Sequence, residues 1–535
     1  MQEPDYHQHE EFQLRTQKLQ QLRQLPLDPY PAQFTPSDHA EGLSRQYEHE
    51  TLGHSDDAAA GVTPSVKIAG RVVLFRAMGK NAFLTLQDGG GRIQVMLNRE
   101  QTHVVGFTPS EAESHMKFLE KRVDLGDWIG VEGHLFRTQK GELTVFAKQV
   151  TLLCKTLLPL PDKHAGLVDK EIRYRKRWLD LIVHPEVRQT FLRRSLLIKL
   201  IRQYFGEQGF IEVETPVLQN VYGGAAARPF MTHLNALDTE MFLRISLEIP
   251  LKELLIGGLE RVFEIGKVFR NEGIDKTHNP EFTMLEAYAA YWDYNDMMRL
   301  VENLLERLAL ELHGTTEVRA LAKDGTEHTV SFKTPWRRMT MYGAIQTYGG
   351  IDVEGQSDEQ LRQALRDRTH LDPTTFAKAP RGLLIQLLFE ELCEKHLIQP
   401  HHIIDHPIET TPLCKLHRDP ARRALGLVER FESFVLGGEL CNSYTELNDP
   451  ELQRSLLVDQ AAQRDAGNEE ASPLDEEFIE AICQGMPPAG GLGIGIDRLV
   501  MMMTHAESIR DVLFFPLMRP ECHGEEAHAA GTDQV

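Results

Sequence analysis

Cysteine is scarce in this sequence, and no two cysteines form a CxxC pair. Six cysteines are scattered over 535 residues: Cys154, Cys393, Cys414, Cys441, Cys483 and Cys522. This pattern excludes a disulfide-stapled domain and is typical of reduced thiols in the cytoplasm. Four histidines lie near Cys414 without the spacing of a zinc site: His401, His402, His406 and His417. We therefore predict no metal at these histidines.

Long hydrophobic runs are also missing. No apolar run approaches the roughly 18 residues that a membrane-spanning helix needs. The amino terminus, MQEPDYHQHEE, is polar and acidic and has neither the basic nor the apolar region of a secretory signal. We expect a cytoplasmic protein with no membrane partner.

Positive charge is in short supply. The chain has 58 basic and 79 acidic side chains, which gives a net charge of −21 at pH 7. This excludes a protein that coats nucleic acid through its bulk charge, but not one with a local basic patch. Residues 167–203 hold such an excess, ten basic against four acidic side chains. The segment is either a phosphate-contacting surface or a solvated helix face with internal charge pairs.

Several sharply defined catalytic and nucleotide-binding motifs are absent as well. The sequence contains no GxxxxGK[ST] loop, no GxSxG and no HExxH, and GLGIGID has the wrong glycine spacing for a dinucleotide fold. A P-loop nucleotide site, a dinucleotide-binding fold and an HExxH zinc protease are thereby excluded.

Between residues 66 and 156 the hydrophobic pattern is typical of strands. Turn residues separate five segments: VKIAGRVVLFRAM, NAFLTLQD, GRIQVMLNR, DWIGVEGHLFRT and GELTVFAKQVTLL. A helical segment at 109–122 falls between the third and the fourth. This order predicts an OB-fold, a small barrel that commonly binds oligonucleotides. Another small barrel or a meander is the alternative.

The strongest chemical pattern is a predicted hairpin over residues 269–286. An apolar strand ends on Arg270, a polar loop follows, and a second strand begins around Phe282. The arginine fork matches phosphate oxygens, and the phenylalanine ring offers a flat face to a purine base. A hairpin with a charged tip and no ligand is the alternative for either half alone.

Two further segments bracket this hairpin in the sequence. Residues 209–216, GFIEVETP, run from a helix into a strand that ends at proline, which points to a sheet edge or an interface. Residues 491–498, GLGIGIDR, alternate glycine with apolar residues, so that another group can approach the strand closely. A tightly packed core strand explains the second segment equally well.

Together and in this order, the three segments resemble motifs 1, 2 and 3 of the class II aminoacyl-tRNA synthetases. The amino-terminal OB-fold is similar to that of the subgroup with the lysyl, aspartyl and asparaginyl enzymes. Finer matches resemble the bacterial lysyl-tRNA synthetases: GGAAARPF at 223–230, FRNEG with HNPEFTMLE, and ELCNSYTELN at 439–448. One departure is Asp497, since motif 3 usually has glutamate before its arginine.

The resemblance implies a lysine–tRNA ligase. Such an enzyme activates L-lysine with ATP and Mg²⁺ to lysyl-adenylate, releases pyrophosphate, and transfers lysine to the 3′ end of tRNA(Lys). The implied catalytic residues are Arg270 and Arg498. The implied ATP-binding residues are Arg270, Glu272, His278, Asn279, Phe282, Glu439 and Arg498. The motif 1 resemblance also implies a homodimer.

The resemblance also implies the other sites. The lysine-binding residues would be Gly224, Glu248, Arg270, Glu286, Tyr288, Asn442, Tyr444 and Glu446. The Mg²⁺ ligands would be Glu432, Glu439 and Glu446, and the anticodon readers Arg76, Phe83, Gln94 and Glu142. Because Glu439 and Glu446 are seven residues apart, a regular strand would face them oppositely, so a bulge or strong twist is needed. Without the resemblance, three surface glutamates and a core Phe83 are the simpler interpretations.

The chemistry of the implied pocket agrees with a cationic substrate. Its carboxylates, Glu248, Glu286 and Glu446, suit an ammonium group, whereas an aspartate pocket would need arginine or lysine. A sibling that charges aspartate or asparagine is therefore disfavoured. A paralogue that lysylates a translation factor would lack the OB-fold, and a non-catalytic RNA-binding protein would not need Arg270 and Arg498 together.

The resulting prediction is an α+β chain with an OB-fold β-barrel and a class II catalytic domain, whose antiparallel sheet is flanked by helices. The predicted boundaries are an amino-terminal helix (11–25) and loosely ordered connector within 1–65, the anticodon-binding OB-fold at 66–156, a linker at 157–166, the catalytic domain at 167–520 with an insertion at about 315–425, and a disordered tail at 521–535.

Overall fold

The computed structural model describes residues 4–161, 167–465, 468 and 470–520. The chain divides into two compact units, Met1–Gly166 and Leu167–Val535. The predicted tail at 521–535 and the second half of the predicted linker lie outside the described residues.

Strands dominate the first unit. Its helices are α1 (Glu10–Leu22), α2 (Ala40–Gln46), α3 (Ser55–Ala60) and α4 (His115–Arg122). Its strands are β1 (Ser65–Met78), β2 (Asn81–Gln87), β3 (Arg92–Asn98), β4 (His103–Val104), β5 (Trp128–Arg137) and β6 (Leu143–Cys154).

The long strands of this unit close into a five-stranded barrel. They pair in the order β3-β2-β1-β5-β6, and a parallel β3–β6 pairing joins the two ends. Alternate residues such as Leu84, Val95 and Val131 point into a common core, which is what a period of two requires. Helix α4 lies between β3 and β5 in the chain, so the predicted OB-fold is confirmed.

The segment before the barrel is more ordered than the sequence indicated. The predicted loose connector at 26–65 contains α2 and α3, and Leu43 and Ala58 are fully buried. Leu43 joins the barrel core together with Leu22 from α1. Short helices with one or two apolar side chains carry too weak a periodic signal to be recognised in a sequence.

The second unit mixes helices with one large sheet. Its helices are α5 (Lys170–Arg175), α6 (Arg177–Val183), α7 (Pro185–Glu207), α8 (Glu248–Ile256), α9 (Tyr294–His313), α10 (Met341–Ala344), α11 (Asp358–Arg368), α12 (Pro373–Phe376), α13 (Arg381–Leu392), α14 (Pro420–Ala424), α15 (Pro450–Asp465), α16 (Glu476–Cys483), α17 (Ile496–Thr504) and α18 (Ile509–Val512). Its strands are β7 (Ile211–Glu212), β8 (Leu218–Gln219), β9 (Met231–Leu234), β10 (Thr239–Leu243), β11 (Arg261–Phe269), β12 (Glu281–Ala290), β13 (Glu317–Leu321), β14 (Glu327–Ser331), β15 (Arg337–Thr340), β16 (His401–Pro407), β17 (Leu427–Val435), β18 (Gly438–Thr445) and β19 (Ala489–Gly495).

The large sheet has eight strands in the order β15-β16-β17-β18-β19-β12-β11-β7. The pairs from β16 to β11 are antiparallel, and only the two edge pairs, β15–β16 and β11–β7, are parallel. Helices α7, α9 and α17 contribute to the main core on the sheet. The predicted antiparallel sheet flanked by helices is therefore confirmed.

The segment predicted as an insertion is partly a component of this sheet. Strands β15 and β16 fall inside 315–425 and form one end of it, while α10, α11 and α13 build a separate core beside them. No helix among the described residues is long and apolar enough to cross a membrane.

Candidate active site

A cavity of about 680 Å³ opens on the large sheet. Most of the predicted lysine and ATP residues line it: Gly224, Glu248, Arg270, Glu272, His278, Asn279, Phe282, Glu286, Tyr288, Glu439, Asn442, Tyr444 and Arg498. These positions span more than 270 residues of sequence, and strands β11, β12, β18 and β19 bring them together.

The strand register explains how the floor of the cavity is built. Glu286 and Asn442 both pair with Gly493 of the central strand β19, and Tyr288 and Tyr444 both pair with Gly491. Each glycine therefore lies between two functional side chains of the neighbouring strands. Each glycine and its two neighbours form a row across three strands. Because glycine has no side chain, the centre of each row is left as a depression.

One end of the cavity is acidic and closed. Glu248 accepts hydrogen bonds from the Tyr444 hydroxyl at 2.7 Å, and Glu286 accepts one from the Tyr288 hydroxyl at 2.9 Å. Glu446 lies beneath Gly491, where a Cβ would come within 1.9 Å of its Oε1 atom. All three glutamates are almost inaccessible to solvent.

Burial changes the proton affinity of these groups. Burial, together with the charge of Glu248, raises the pKa of Glu286 to about 7. Burial likewise raises the pKa of Glu446, and it raises the pKa values of Tyr288 and Tyr444 far enough to keep both hydroxyls neutral. The acidic end thus holds three carboxyl groups beside the single ammonium of Lys252, so it can take a further cation when these carboxyl groups are ionised.

The other end of the cavity is basic and open. The guanidinium of Arg270 lies over the Phe282 ring at 5.2 Å, and its Nε donates to the Ile245 carbonyl at 3.2 Å. Arg498 contacts His278 at 3.0 Å and the Glu439 carboxylate at 3.5 Å. Burial lowers the pKa of Arg270, but a guanidinium stays charged at any physiological pH. This end can hold a polyanion next to an aromatic face.

The predicted anticodon residues share one face of the barrel. Arg76 pairs directly with Phe83 across β1 and β2, and Gln94 pairs with the next residue of β2 on that face, Thr85. Gln94 then donates to Glu142 at 2.9 Å. Phe83 is half-buried, with its ring packed beside Met96, Phe136 and Phe146. The face therefore presents an aromatic ring among polar side chains.

Comparison with known proteins identifies the family. A model of the tRNA synthetases class II (D, K and N) matches residues 169–519. The chain belongs to this family. A model of the OB-fold nucleic acid binding domain matches residues 66–153. Both matches confirm the resemblance stated from the motifs.

Curated relatives of this class II synthetase match along almost their entire length. A protein of Chlamydia caviae named "Lysine--tRNA ligase" is 58% identical over 523 residues, which are 97% of this chain and 99% of the relative. One of the same name from Chlamydia felis is 57% identical over 519 residues, 96% of this chain and 98% of the relative. Another, from Trichormus variabilis, is 46% identical over 509 residues, 95% and 87% respectively.

The three predicted metal ligands are not brought together in the synthetase. No three His, Cys, Asp or Glu side chains of the described residues gather as metal ligands. Glu446 is committed to Lys252 at the acidic end, so the structure does not support it as a ligand. Glu432 and Glu439 lie on the paired strands β17 and β18, and the charges of both add to the raised pKa that burial gives Glu390. Two hard carboxylates beside a polyphosphate site fit Mg²⁺, which takes few protein ligands.

Several residues of the site were not anticipated from the sequence. Arg430 bridges Asn442 at 3.0 Å and Glu432 at 2.6 Å, and so orients both. Asp497, the departure from motif 3, accepts from the Thr283 backbone N–H at 2.6 Å and pairs with Arg194 at 2.6 Å. Asp497 therefore fixes the start of α17 against β12. The four-residue spacing of Glu248 and Lys252 was the one available signal for a charge pair on a helix.

Proposed function

We propose that this chain is a lysine–tRNA ligase. It activates L-lysine with ATP, releases pyrophosphate, and transfers the lysyl group to the 3′ end of tRNA(Lys). The observation that carries this proposal is the closed end of the cavity, where three buried carboxylates surround a space next to a basic, open end. The names of the relatives, all "Lysine--tRNA ligase", support the same substrate.

The lysine side chain enters the acidic end. Its ε-ammonium is held by Glu446 and Tyr288, and its α-ammonium by Glu248 and the backbone at Gly224. Gly224 has a φ of +84°, and a Cβ there would lie 2.1 Å from the Ser246 hydroxyl, so this position of the cavity wall requires glycine. The substrate carboxylate then points to Arg270 and Asn442 at the basic end.

Activation needs no side-chain nucleophile. The lysine carboxylate attacks the α-phosphate of ATP in line, and pyrophosphate leaves. Arg270 holds the α-phosphate and the attacking carboxylate together, while Arg498 and His278 hold the departing phosphates. Adenine stacks on Phe282 and is contacted by Glu272, with Asn279 shaping the loop. Catalysis is then mainly positioning and charge stabilisation.

Glu432 and Glu439 would hold Mg²⁺ at the ATP end of the site. Its contribution when bound is to neutralise charge on the phosphate oxygens. We assign Glu446 to the lysine end and not to the metal, because Lys252 engages it there. The OB-fold face with Arg76, Phe83, Gln94 and Glu142 reads the anticodon through stacking and edge hydrogen bonds.

The deciding experiment is ATP–pyrophosphate exchange with single amino acids. We expect exchange with lysine and none above background with aspartate or asparagine. Exchange with aspartate would mean a sibling specificity, and exchange with no amino acid would remove the enzyme hypothesis.

Lysine binding should depend on pH through Glu286, and in the same direction through Glu446, because burial raises the pKa of both carboxyl groups. With a pKa of about 7, the Glu286 carboxyl is protonated in the free protein at pH 6 and ionised at pH 8, and only the ionised form attracts an ammonium. Since the lysine ε-ammonium stays charged over this window, we expect its affinity to rise roughly tenfold from pH 6 to pH 8. Calorimetric titration of lysine at several pH values measures this. An affinity that is flat or falls with pH would contradict the assignment.

Phe83→Ala should separate anticodon reading from catalysis. Loss of one stacking base is worth about 1–3 kcal/mol, so we expect the KM for tRNA(Lys) to rise about tenfold or more. Lysine-dependent exchange should be unchanged, because Phe83 lies in the other compact unit. The control is Phe136→Leu, a change inside the same apolar cluster. Loss of exchange in Phe83→Ala would mean that the ring is structural only.

The proposed enzyme is a cytoplasmic homodimer. The second unit exposes large apolar side chains on its short strands, with Ile211 53%, Leu218 42% and Met231 61% accessible. These exposed apolar side chains lie on three successive short strands, β7, β8 and β9, and exposed apolar surface favours a protein partner. Light scattering should give twice the chain mass of 60.9 kDa, and a monomer mass would refute the dimer.

The free thiols Cys154, Cys393, Cys414, Cys441 and Cys483 agree with a reducing compartment.

A further inference from the structure

A lysine of the protein itself lies among the carboxylates of the acidic end. Helix α8 begins at Glu248, and Lys252 follows four residues later on the same face of the helix. Its Nζ contacts a carboxylate oxygen of Glu248 and one of Glu446, and the side chain has no accessible surface. It also lies near the rings of Tyr444 (5.5 Å) and Phe478 (5.9 Å).

This position is unusual because it competes with the substrate that the pocket is built to hold. Glu446 is the carboxylate assigned to the lysine ε-ammonium, and Lys252 already supplies it with an ammonium. Burying a charged lysine is costly unless it is fully paired. Burial by itself lowers the pKa of Lys252, but its two glutamate partners outweigh this and raise it, so the side chain stays charged.

The charges of the pocket explain why the extra ammonium is useful. Around the lysine end lie three carboxyl groups, Glu248, Glu286 and Glu446, together with the ammonium of Lys252 and, toward the basic end, the guanidinium of Arg270. When the three carboxyl groups are ionised, these five groups together carry one net negative charge. Zwitterionic lysine carries one net positive charge, so the complex is neutral. Without Lys252 the same pocket would carry two negative charges and retain one after lysine had bound.

The geometry gives Lys252 a second effect. It contacts Oε2 of Glu446, while Oε1 lies next to the position that a Cβ of Gly491, a residue of the cavity wall, would occupy. Both oxygens of Glu446 are buried, and neither accepts a hydrogen bond from the described residues. The internal ammonium is thus in ion-pair contact with Oε2, and Oε1 is the oxygen nearer to the cavity wall.

We propose that Lys252 is a positioning residue for the amino acid substrate, which sets the net charge of the pocket to −1 and holds Glu446 with one oxygen toward the substrate ammonium. This inference rests on the proposed function. Lys252 then favours an amino acid of net charge +1 without itself contacting the substrate.

The first test is Lys252→Met, which keeps an unbranched side chain one heavy atom shorter and removes the ammonium group. We expect the KM for lysine to rise about a hundredfold, because a carboxylate left without its partner is displaced or neutralised. The KM for ATP should stay within about threefold, since Lys252 lies at the opposite end from the phosphate site. Lys333→Met, at an exposed position, is the matched control and should leave both values unchanged.

The second test is a rescue, which a purely structural role does not predict. Glu446→Gln alone should raise the KM for lysine strongly, because the pocket then has no net charge. Adding Lys252→Met to it restores the charge of −1, so the double variant should bind lysine about tenfold better than Glu446→Gln. The double variant removes both partners of the buried Lys252–Glu446 pair, and proteins tolerate this better than the loss of one partner. It can therefore still be measured if Lys252→Met alone does not fold.

The possible results distinguish a failure of the role of Lys252 from a failure of the proposed function. A wild-type KM for lysine in Lys252→Met, an equal rise of both KM values, or a double variant no better than Glu446→Gln would each overturn the role of Lys252. Wild-type protein without lysine-dependent exchange would instead overturn the proposed function, before any variant is considered.

Discussion

Arg270→Ala should abolish lysine-dependent ATP–pyrophosphate exchange, lowering its rate by about a thousandfold or more. The guanidinium lies at the basic end of the cavity, close enough to the acidic end to feel the charge of Glu286, and there the substrate carboxylate must meet the α-phosphate in our proposal. Removing one preorganised group of this kind typically costs about 10²–10³ in rate, and Arg270 contacts both reactants in our proposal. Exchange measured with saturating lysine and ATP reports the loss directly.

Two control variants test whether the loss of exchange is specific to the guanidinium of Arg270. Arg270→Lys keeps a charge but loses the two-pronged fork, so we expect it to recover only a small part of the lost rate. Arg319→Ala removes an exposed arginine of β13, 78% accessible at its side chain, and should exchange normally. Near-normal exchange in a folded Arg270→Ala protein would remove Arg270 from the active site.

The parts of the fold that were predictable are those whose strands carry strong local patterns. The alternation of residues 66–156 was enough to predict the OB-fold, because every strand of a small barrel has one face in the core. The apolar runs that became β11, β12, β18 and β19 are neighbours in the sheet, and the polar residues at their ends meet in one cavity. The motifs were visible because catalysis requires fixed residues on fixed strands.

What was missed depends on contacts between distant segments. Strand β16 reads as part of an insertion, and only its pairing with β17 makes it a member of the main sheet. The resemblance implied both a lysine and a metal role for Glu446, and the sequence does not show that this carboxylate has an internal cation beside it. The partner, Lys252, lies 194 residues away in the chain. Sequence spacing shows the face of a single element but not the depth of a side chain within the folded domain.

The register of β19 leads to the other large expected effect, that of Gly491→Ala. A Cβ at this position would lie 1.9 Å from Glu446 Oε1 and 2.5 Å from the Tyr288 ring. Neither group can move without leaving its place at the acidic end, since both are buried and packed. We expect the KM for lysine to rise about a hundredfold, because a displacement of about 1 Å in a site of this type costs that much. Overpacking should also lower the free energy of unfolding by about 1–3 kcal/mol.

Gly493→Ala provides the matched comparison on the same strand and face. A Cβ there meets nothing closer than 3.8 Å, so the added methyl group fits without displacing Glu286 or Asn442. We expect an unchanged free energy of unfolding and a much smaller rise in the KM for lysine. Lysine-dependent exchange and chemical denaturation of both variants measure the difference. Equal effects in the two would show that strand β19 tolerates no side chain at either row, and that Gly491 has no special relation to the lysine end.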